Sequence, residues 1–252
     1  MRRRTAVILG LVALLLASLA GAAQAGPKPD IVGGGDASTQ DYPWVVSLRI
    51  NGQHFCGGTF ISNQQVLTTA HCLAWLDDPT RIEVVAGRDA RTGDGGDVYP
   101  VESYWMQPDY DPEYYRNDIA MLMLPEPVPY PWIDIVEDGE TQPYQAGNVG
   151  TILGWGDTAE DGDLAETLQQ AEVPLMSDED CASAYAEPYI TTVFCAGYAE
   201  GGIDSCQGDS GGPIVVDGRL AGVITFGRGC AREGSPGAYT KLSLFAAELH
   251  QV

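Results

Sequence analysis

Basic side chains are scarce in this chain. Its 252 residues hold 13 Lys and Arg against 35 Asp and Glu, a formal net charge of −22. Nucleic-acid binding needs clustered cations facing phosphate, so this balance excludes a nucleic-acid partner and disfavours an anionic membrane surface. Histidine is rarer still, with three residues, so any chemistry that needs an imidazole has few candidates. Neither a Cys-x-x-Cys pair nor a His-Glu-x-x-His occurs, which argues against a structural zinc site. Beyond residue 25 no apolar run is long enough to span a bilayer.

Glycine and proline are plentiful, with 31 and 16 residues, and favour many turns and short strands over long helices. Hydrophobic residues make up 44% of the chain, enough for a sizeable core. The first 25 residues read as an address. Arg2, Arg3 and Arg4 precede an almost wholly apolar run from Ala6 to Ala20, and Ala23-Gln24-Ala25 fits a cleavage site. That is a secretory signal peptide, with an extracellular destination; the apolar run is short for a membrane anchor, and the residues after the arginines fit twin-Arg export poorly. Removing Arg2, Arg3, Arg4, Lys28 and Asp30 with the first 30 residues leaves nine basic and 34 acidic side chains, with Lys241 the one remaining lysine. Such a charge keeps copies apart in solution. All six cysteines follow the signal peptide: Cys56, Cys72, Cys181, Cys195, Cys206 and Cys230. Three disulfides are expected, and spacing alone leaves 15 connectivities open.

The coarse pattern is all-β. Short β-rich runs cover Trp44–Ile50, Gln65–Thr69, Arg81–Ala86, Ile119–Leu124, Val149–Trp155, Leu168–Val173, Ile214–Val216 and Leu220–Phe226. Turn residues separate them, and Asp217-Gly218 is a two-residue hairpin signal. Ser177, followed by three acids, caps a helix running to about Tyr185. Ser243 is expected to cap a closing helix with Leu244, Phe245 and Leu249. The proline-rich segment from Pro125 to Pro143 reads as a link between two halves.

The chemistry concentrates at three places. Gly208-Asp209-Ser210-Gly211-Gly212-Pro213 sets a serine among glycines, where backbone amides can approach a developing oxyanion. Serine becomes a nucleophile when a base takes its proton. His71 stands beside Cys72, whose disulfide would hold the backbone still, whereas His54 lies in a strand-like run and reads as structural, and His250 is almost terminal. Asp118 immediately precedes the apolar stretch Ile119–Leu124, and an acid entering a buried strand needs a partner.

With Ile31-Val32-Gly33-Gly34, Cys56-Gly57-Gly58-Thr59, Thr69-Ala70-His71-Cys72, Asn117-Asp118-Ile119-Ala120, Gly154-Trp155-Gly156, the Asp204–Pro213 segment and Gly227-Arg228-Gly229-Cys230 in this order, the chain resembles a trypsin-type member of the chymotrypsin family of serine proteases. The order His, Asp, Ser fits that family. Gly208–Gly212 also fits the elbow of α/β-hydrolases, but those need the acid and the histidine after the serine, and only 42 residues follow Ser210.

The resemblance implies two antiparallel six-stranded β-barrels with a short C-terminal helix. Residues 1–25 would be the signal peptide, 26–30 a propeptide and 31–252 the peptidase domain, with the barrels at about 31–135 and 136–241 and the helix at about 243–251. It implies disulfides Cys56–Cys72, Cys181–Cys195 and Cys206–Cys230, and a secreted endopeptidase with His71, Asp118 and Ser210 as its triad. The amides of Gly208 and Ser210 would form the oxyanion hole. Asp204 would floor a specificity pocket walled by Gly227 and Gly237 and supported by Tyr185 and Tyr239, selecting protein or peptide substrates with Arg or Lys before the cleaved bond. Proteinaceous serine-protease inhibitors would be further partners. A freed Ile31 amine would pair with Asp209 on activation; because Asp30 precedes Ile31, a separate activating protease is expected. Thr225-Phe226-Gly227 stands where the family commonly has Ser-Trp-Gly. No cofactor is expected; the loop Gly87–Asp97 matches the family's calcium loop poorly, although Asp89, Asp94 and Asp97 are candidate ligands.

Overall fold

The computed structural model describes residues 31–186 and 189–252, so the expected signal peptide and propeptide lie outside the described residues. Strand β1 (Gly35–Asp36) is a short N-terminal edge. The next seven strands are β2 (Val45–Ile50), β3 (Gln53–Phe60), β4 (Gln65–Thr68), β5 (Ile82–Ala86), β6 (Asp97–Pro100), β7 (Ser103–Met106) and β8 (Ala120–Met123). They form one antiparallel sheet in the order β6-β5-β2-β3-β4-β8-β7. Its two edges are consecutive in the chain. Only Val101 and Glu102 separate β6 from β7, and the bend there lets Pro100 pair with Glu83 while Ser103 pairs with Met123. One bent strand thus closes the sheet.

The second sheet contains β9 (Val149–Gly154), β10 (Gln169–Pro174), β11 (Val193–Ala196), β12 (Pro213–Val216), β13 (Arg219–Phe226) and β14 (Gly237–Lys241), in the order β1-β10-β9-β12-β13-β14-β11. Leu175, just past β10, bridges Ala196 of β11 and closes this sheet in turn. Each sheet therefore has seven strands by count. The expected six are recovered once β6 and β7 are taken as one bent strand and β1 as an addition to the edge of β10. One boundary is corrected. Residues 31–36, assigned from sequence to the first barrel, pair with the second: Gly35 lies opposite Gln170, and Val32 bridges Asp204.

Alternation along the strands fills two separate interiors, one around Val46, Leu48, Phe60 and Leu122, the other around Ile152, Val173, Ile214 and Ile224. A third apolar cluster joins them. Leu67 and Ile119 from the first sheet meet Leu220 and Val223 from the second, and Leu242, Phe245 and Leu249 cover the seam. The proline-rich link runs along this seam, with Ile133, Ile135 and Val136 buried and the Val136 amide bonded to the Leu220 carbonyl at 2.9 Å.

Among the described residues three short α-helices complete the fold: α1 (Ala70–Leu73), α2 (Asp178–Ala184) and α3 (Ala246–Leu249). Ser177 caps α2 as expected, its hydroxyl accepting from the Asp180 amide. Ser243 does not cap α3. It lies buried in a 3-10 turn over Leu242–Leu244, its amide donates to the Tyr144 hydroxyl, and α3 starts after Phe245 without a side-chain cap. The Asp217-Gly218 hairpin has both residues at positive φ, 50° and 75°, which matches the right-handed twist of β12 and β13. Among the described residues no helix is long and apolar enough to cross a membrane.

Candidate active site

The seam between the sheets carries His71, Asp118 and Ser210 to one place. His71 sits in α1, anchored by the Cys56–Cys72 disulfide to β3. Asp118 stands two residues before β8 and is fully buried. Its Oδ1 accepts the His71 backbone amide at 2.8 Å and its Oδ2 accepts His71 Nδ1 at 2.7 Å. Because a carboxylate accepts, Nδ1 carries the ring proton and Nε2 keeps a lone pair. Thr225 of β13 donates its hydroxyl to Asp118 Oδ2. The threonine at this position thus supplies the hydroxyl expected of a serine. Thr240 of β14 donates to the Asp118 carbonyl at 3.0 Å, so the second sheet also holds the acid's backbone.

The Ser210 loop is fixed from several directions. The Ser210 carbonyl accepts from Gly57 of β3 at 2.8 Å, and the amides of Asp209, Gly211 and Gly212 bond to Cys206, Ile224 and Asp209 carbonyls. Among the described residues the amides of Gly208 and Ser210 have no such acceptor, which leaves these two donors for an incoming oxygen. Gly208 adopts φ +95°, and an added Cβ there would lie 2.6 Å from Leu164 Cδ2. His54, read from sequence as structural, has a further part in this loop. It is buried, and its Nε2 lies 2.9 Å from the Gly208 carbonyl while Nδ1 lies 2.8 Å from Ser47 Oγ. Burial pushes His54 down to about 4, so the ring is neutral, with Nε2 donating to Gly208 and Nδ1 accepting from Ser47.

His71 and Ser210 line a cavity of about 430 Å³ with Tyr115, Tyr189, Phe226 and Arg228. The Tyr115 ring stands edge-on to His71, with centroids 5.7 Å apart, and leans on Phe226. Tyr115 has φ 51°, a strained conformation for a bulky side chain, in the loop leading to Asp118. A narrower slot of about 50 Å³ opens beside Ser210 and ends on Asp204. Asp204 is 3% exposed and accepts the amides of Ser205 at 2.9 Å and Ala231 at 3.1 Å. Burial raises it to about 7 against those two donors. Gly227 lines the slot. At Gly237 an added Cβ would lie 2.8 Å from Asp204 Oδ1, so a larger residue there would press on the acid. Tyr185 anchors its hydroxyl on the Pro236 carbonyl beneath, at 2.5 Å.

The chain that carries this constellation of imidazole, buried carboxylate and serine in a glycine turn is similar to known proteins. Residues 31–248 match the trypsin family model. The chain belongs to the trypsin family. It is 43% identical over 216 residues to a protein named trypsin from Saccharopolyspora erythraea, covering 85% of this chain and 94% of that protein. It is 38% identical over 249 residues to trypsin eta of Drosophila erecta, and 36% identical over 249 residues to cationic trypsin-3 of Rattus norvegicus, covering 95% of this chain in both cases and 96% and 97% of those proteins. This trypsin-family chain is a serine endopeptidase hydrolase acting on protein substrates. Its disulfides are Cys56–Cys72, Cys181–Cys195 and Cys206–Cys230, as the resemblance implied.

Two other groups of acids were singled out from sequence. Asp209 is fully buried, its carboxylate accepting the amides of Gly156 at 2.7 Å and Cys206 at 2.9 Å. Gly154 and Gly156 make room for it, since a Cβ at either would lie within 2.4 Å of a carboxylate oxygen. The Ile31 side chain is buried in the second core. Asp89, Asp94 and Asp97 do not bring three carboxylate oxygens within reach of one ion. Asp89 accepts from the amide and hydroxyl of Thr39, Asp97 accepts from Tyr130 Oη at 2.9 Å, and Arg88 ties the loop through the Gly95 carbonyl. Among the described residues the one cluster of three potential metal ligands is Cys56, His71 and Cys72, and two of these are bonded to each other. Sequence reasoning gave no role to Tyr115, Tyr189 or Arg228. Only Arg228 carried a signal, as a charged residue inside the glycine-rich Gly227–Gly229 segment.

Proposed function

We propose that this protein is a secreted endopeptidase that cleaves after Arg or Lys and is made as an inactive precursor. The observation carrying the specificity is Asp204, a nearly fully buried carboxylate at the end of a slot that opens beside Ser210. Removing a carboxylate from water is costly without a partner. Its elevated pKa registers that cost, and a guanidinium or ammonium entering the slot relieves it.

In this reading His71 Nε2 takes the proton from Ser210 Oγ as the oxygen attacks the peptide carbonyl. Asp118 fixes the tautomer and stabilises the imidazolium, and the amides of Gly208 and Ser210 receive the oxyanion. His71 then gives the proton to the leaving amine, which departs as the acyl-enzyme forms. Water, deprotonated by His71, attacks the ester and frees Ser210.

Activation follows from Asp209. Cleavage before Ile31 creates an amine able to neutralise that buried carboxylate beside Ser210. Asp30 fits an Arg-selective slot poorly, so a different protease makes the cut, with proteinaceous inhibitors as further partners. Secretion rests on the signal peptide and the disulfides. The test is a panel of peptides, cleaved by protein beginning at Ile31, that differ only in the residue before the scissile bond. Preference for Arg and Lys, lost in Asp204→Ser, supports the reading; preference for Phe or Leu refutes the specificity.

A further inference from the structure

Among the described residues the cleft carries one cation that the reaction does not use. Of the eight arginines in residues 31–252, Arg91, Arg116, Arg219 and Arg232 form ion pairs with Glu166, Asp111, Glu140 and Glu160. Arg49 and Arg88 are buried, and Arg81 lies beside Asp78. Arg228 is exposed, forms no ion pair among the described residues, and lines the cavity shared by His71 and Ser210. It is held in place there. Its Nη1 donates to the Ala184 carbonyl at 2.9 Å, and its guanidinium lies 4.9 Å from the Tyr185 ring centroid. A stacked and tethered guanidinium has lost part of its rotamer freedom already, so less is lost when it meets a ligand.

We propose that Arg228 makes this protease favour an acidic residue at the third position before the scissile bond. The inference rests on the Arg/Lys reading of the Asp204 slot. Gly227 lines that slot, and Arg228 follows it in the chain. In an extended substrate, side chains alternate, so the residue two before the slot residue returns to the same side, about 6.6–6.8 Å further along. Ser210, Gly227 and Arg228 line one cavity, which places this position within reach of the guanidinium. The chain's overall negative charge opposes the preference, but exposed charges beyond about 8 Å are screened at physiological ionic strength, whereas Arg228 borders the bound peptide. An exposed pair of this kind is worth about a two- to fivefold effect.

The experiment compares three peptides with Arg before the scissile bond and Glu, Gln or Lys two residues earlier. kcat/KM is measured at low salt and in 0.5 M NaCl, for wild type, Arg228→Gln and Arg228→Glu. Ratios within one protein cancel any general loss of activity. The expected wild-type order is Glu over Gln over Lys, with a Glu-to-Gln ratio of about two to five at low salt that falls toward one at high salt. The ratio disappears in Arg228→Gln and inverts in Arg228→Glu. A wild-type ratio of one, a salt-independent ratio, or an unchanged ratio in both variants overturns the proposal. Absence of cleavage of all three peptides by wild type, with cleavage after another residue type, overturns the Arg/Lys reading beneath it.

Discussion

Cutting the chain before Ile31 should change how its stability depends on pH. In the uncut chain the Ile31 nitrogen is a peptide amide without charge, and Asp209 is buried between two backbone donors. Burial raises its pKa from 3.8 to about 7, opposed by the amides of Cys206 and Gly156. The folded uncut chain therefore holds this proton more tightly than the unfolded chain. The contribution is fully present below about pH 4 and is lost as pH rises through about 7, and the difference corresponds to about 4 kcal/mol. On the proposed activation the new amine of the cut chain would pair with the carboxylate and remove that loss. An amine gaining an anionic partner has its pKa raised above the unfolded value of about 8, so its contribution is present below pH 8 and declines above it. Asp204 is also raised to about 7, but it is common to both forms and cancels in their difference.

The assay is urea unfolding of Ser210→Ala protein, uncut and beginning at Ile31, at half-unit steps from pH 4 to 9. The stability of the cut form relative to the uncut form should grow by about 4 kcal/mol between pH 4 and 7.5 and shrink again at higher pH. Parallel curves for the two forms would refute the pairing of Ile31 with Asp209.

Other expectations follow from single contacts. Thr225→Val removes the hydroxyl bonded to Asp118 and should cost about 1.5–3 kcal/mol in denaturant unfolding, with a fall in turnover that Thr225→Ser does not share. Gly237→Ala puts a methyl against Asp204, so kcat/KM for an Arg peptide should drop at least about tenfold, one decade of transition-state stabilisation, while Ser210 still reacts with a phosphonylating reagent. Replacing Cys206 and Cys230 together by Ala opens a bridge of sequence separation 24 and should cost about 3 kcal/mol, with KM for Arg peptides rising because the bridge flanks the slot. Asp89→Ala frees the Thr39 amide and hydroxyl and should cost about 1–2 kcal/mol, equally with calcium or with a chelator present; a loss seen only with calcium would contradict the arrangement of that loop.

Strands with plain alternation or dense β-branched residues were legible in the sequence. Val45–Ile50, Ile82–Ala86 and Val149–Gly154 fall inside the expected runs to within one residue at either end. Strand β3 was legible only around His54 and β14 was not, and the reason is steric. Gly57 and Gly58 interrupt the β-rich pattern of β3 because neighbours press against it: a Cβ at Gly57 would lie 2.9 Å from Gly212, and one at Gly58 would lie 2.8 Å from Val66. In β14 the glycine at 237 leaves room for the Asp204 carboxylate. Such glycines look like turn residues until the facing chain is known. At the site, His71, Asp118 and Ser210 were legible because their residue types are few or their contexts unusual. Tyr115 and Tyr189 were not, since each reaches the cleft through loop geometry that no local periodicity encodes. The false cap at Ser243 has a similar origin: Tyr144, 99 residues away, takes its amide.

The central claim is that Ser210 is the nucleophile made reactive by His71 and Asp118. Its most direct test is peptide mapping after treating protein that begins at Ile31 with a serine-directed phosphonylating reagent. The account predicts one equivalent of label, confined to Ser210 and lost in His71→Ala. Label on another residue, or undiminished labelling of Ser210 in His71→Ala, would contradict it.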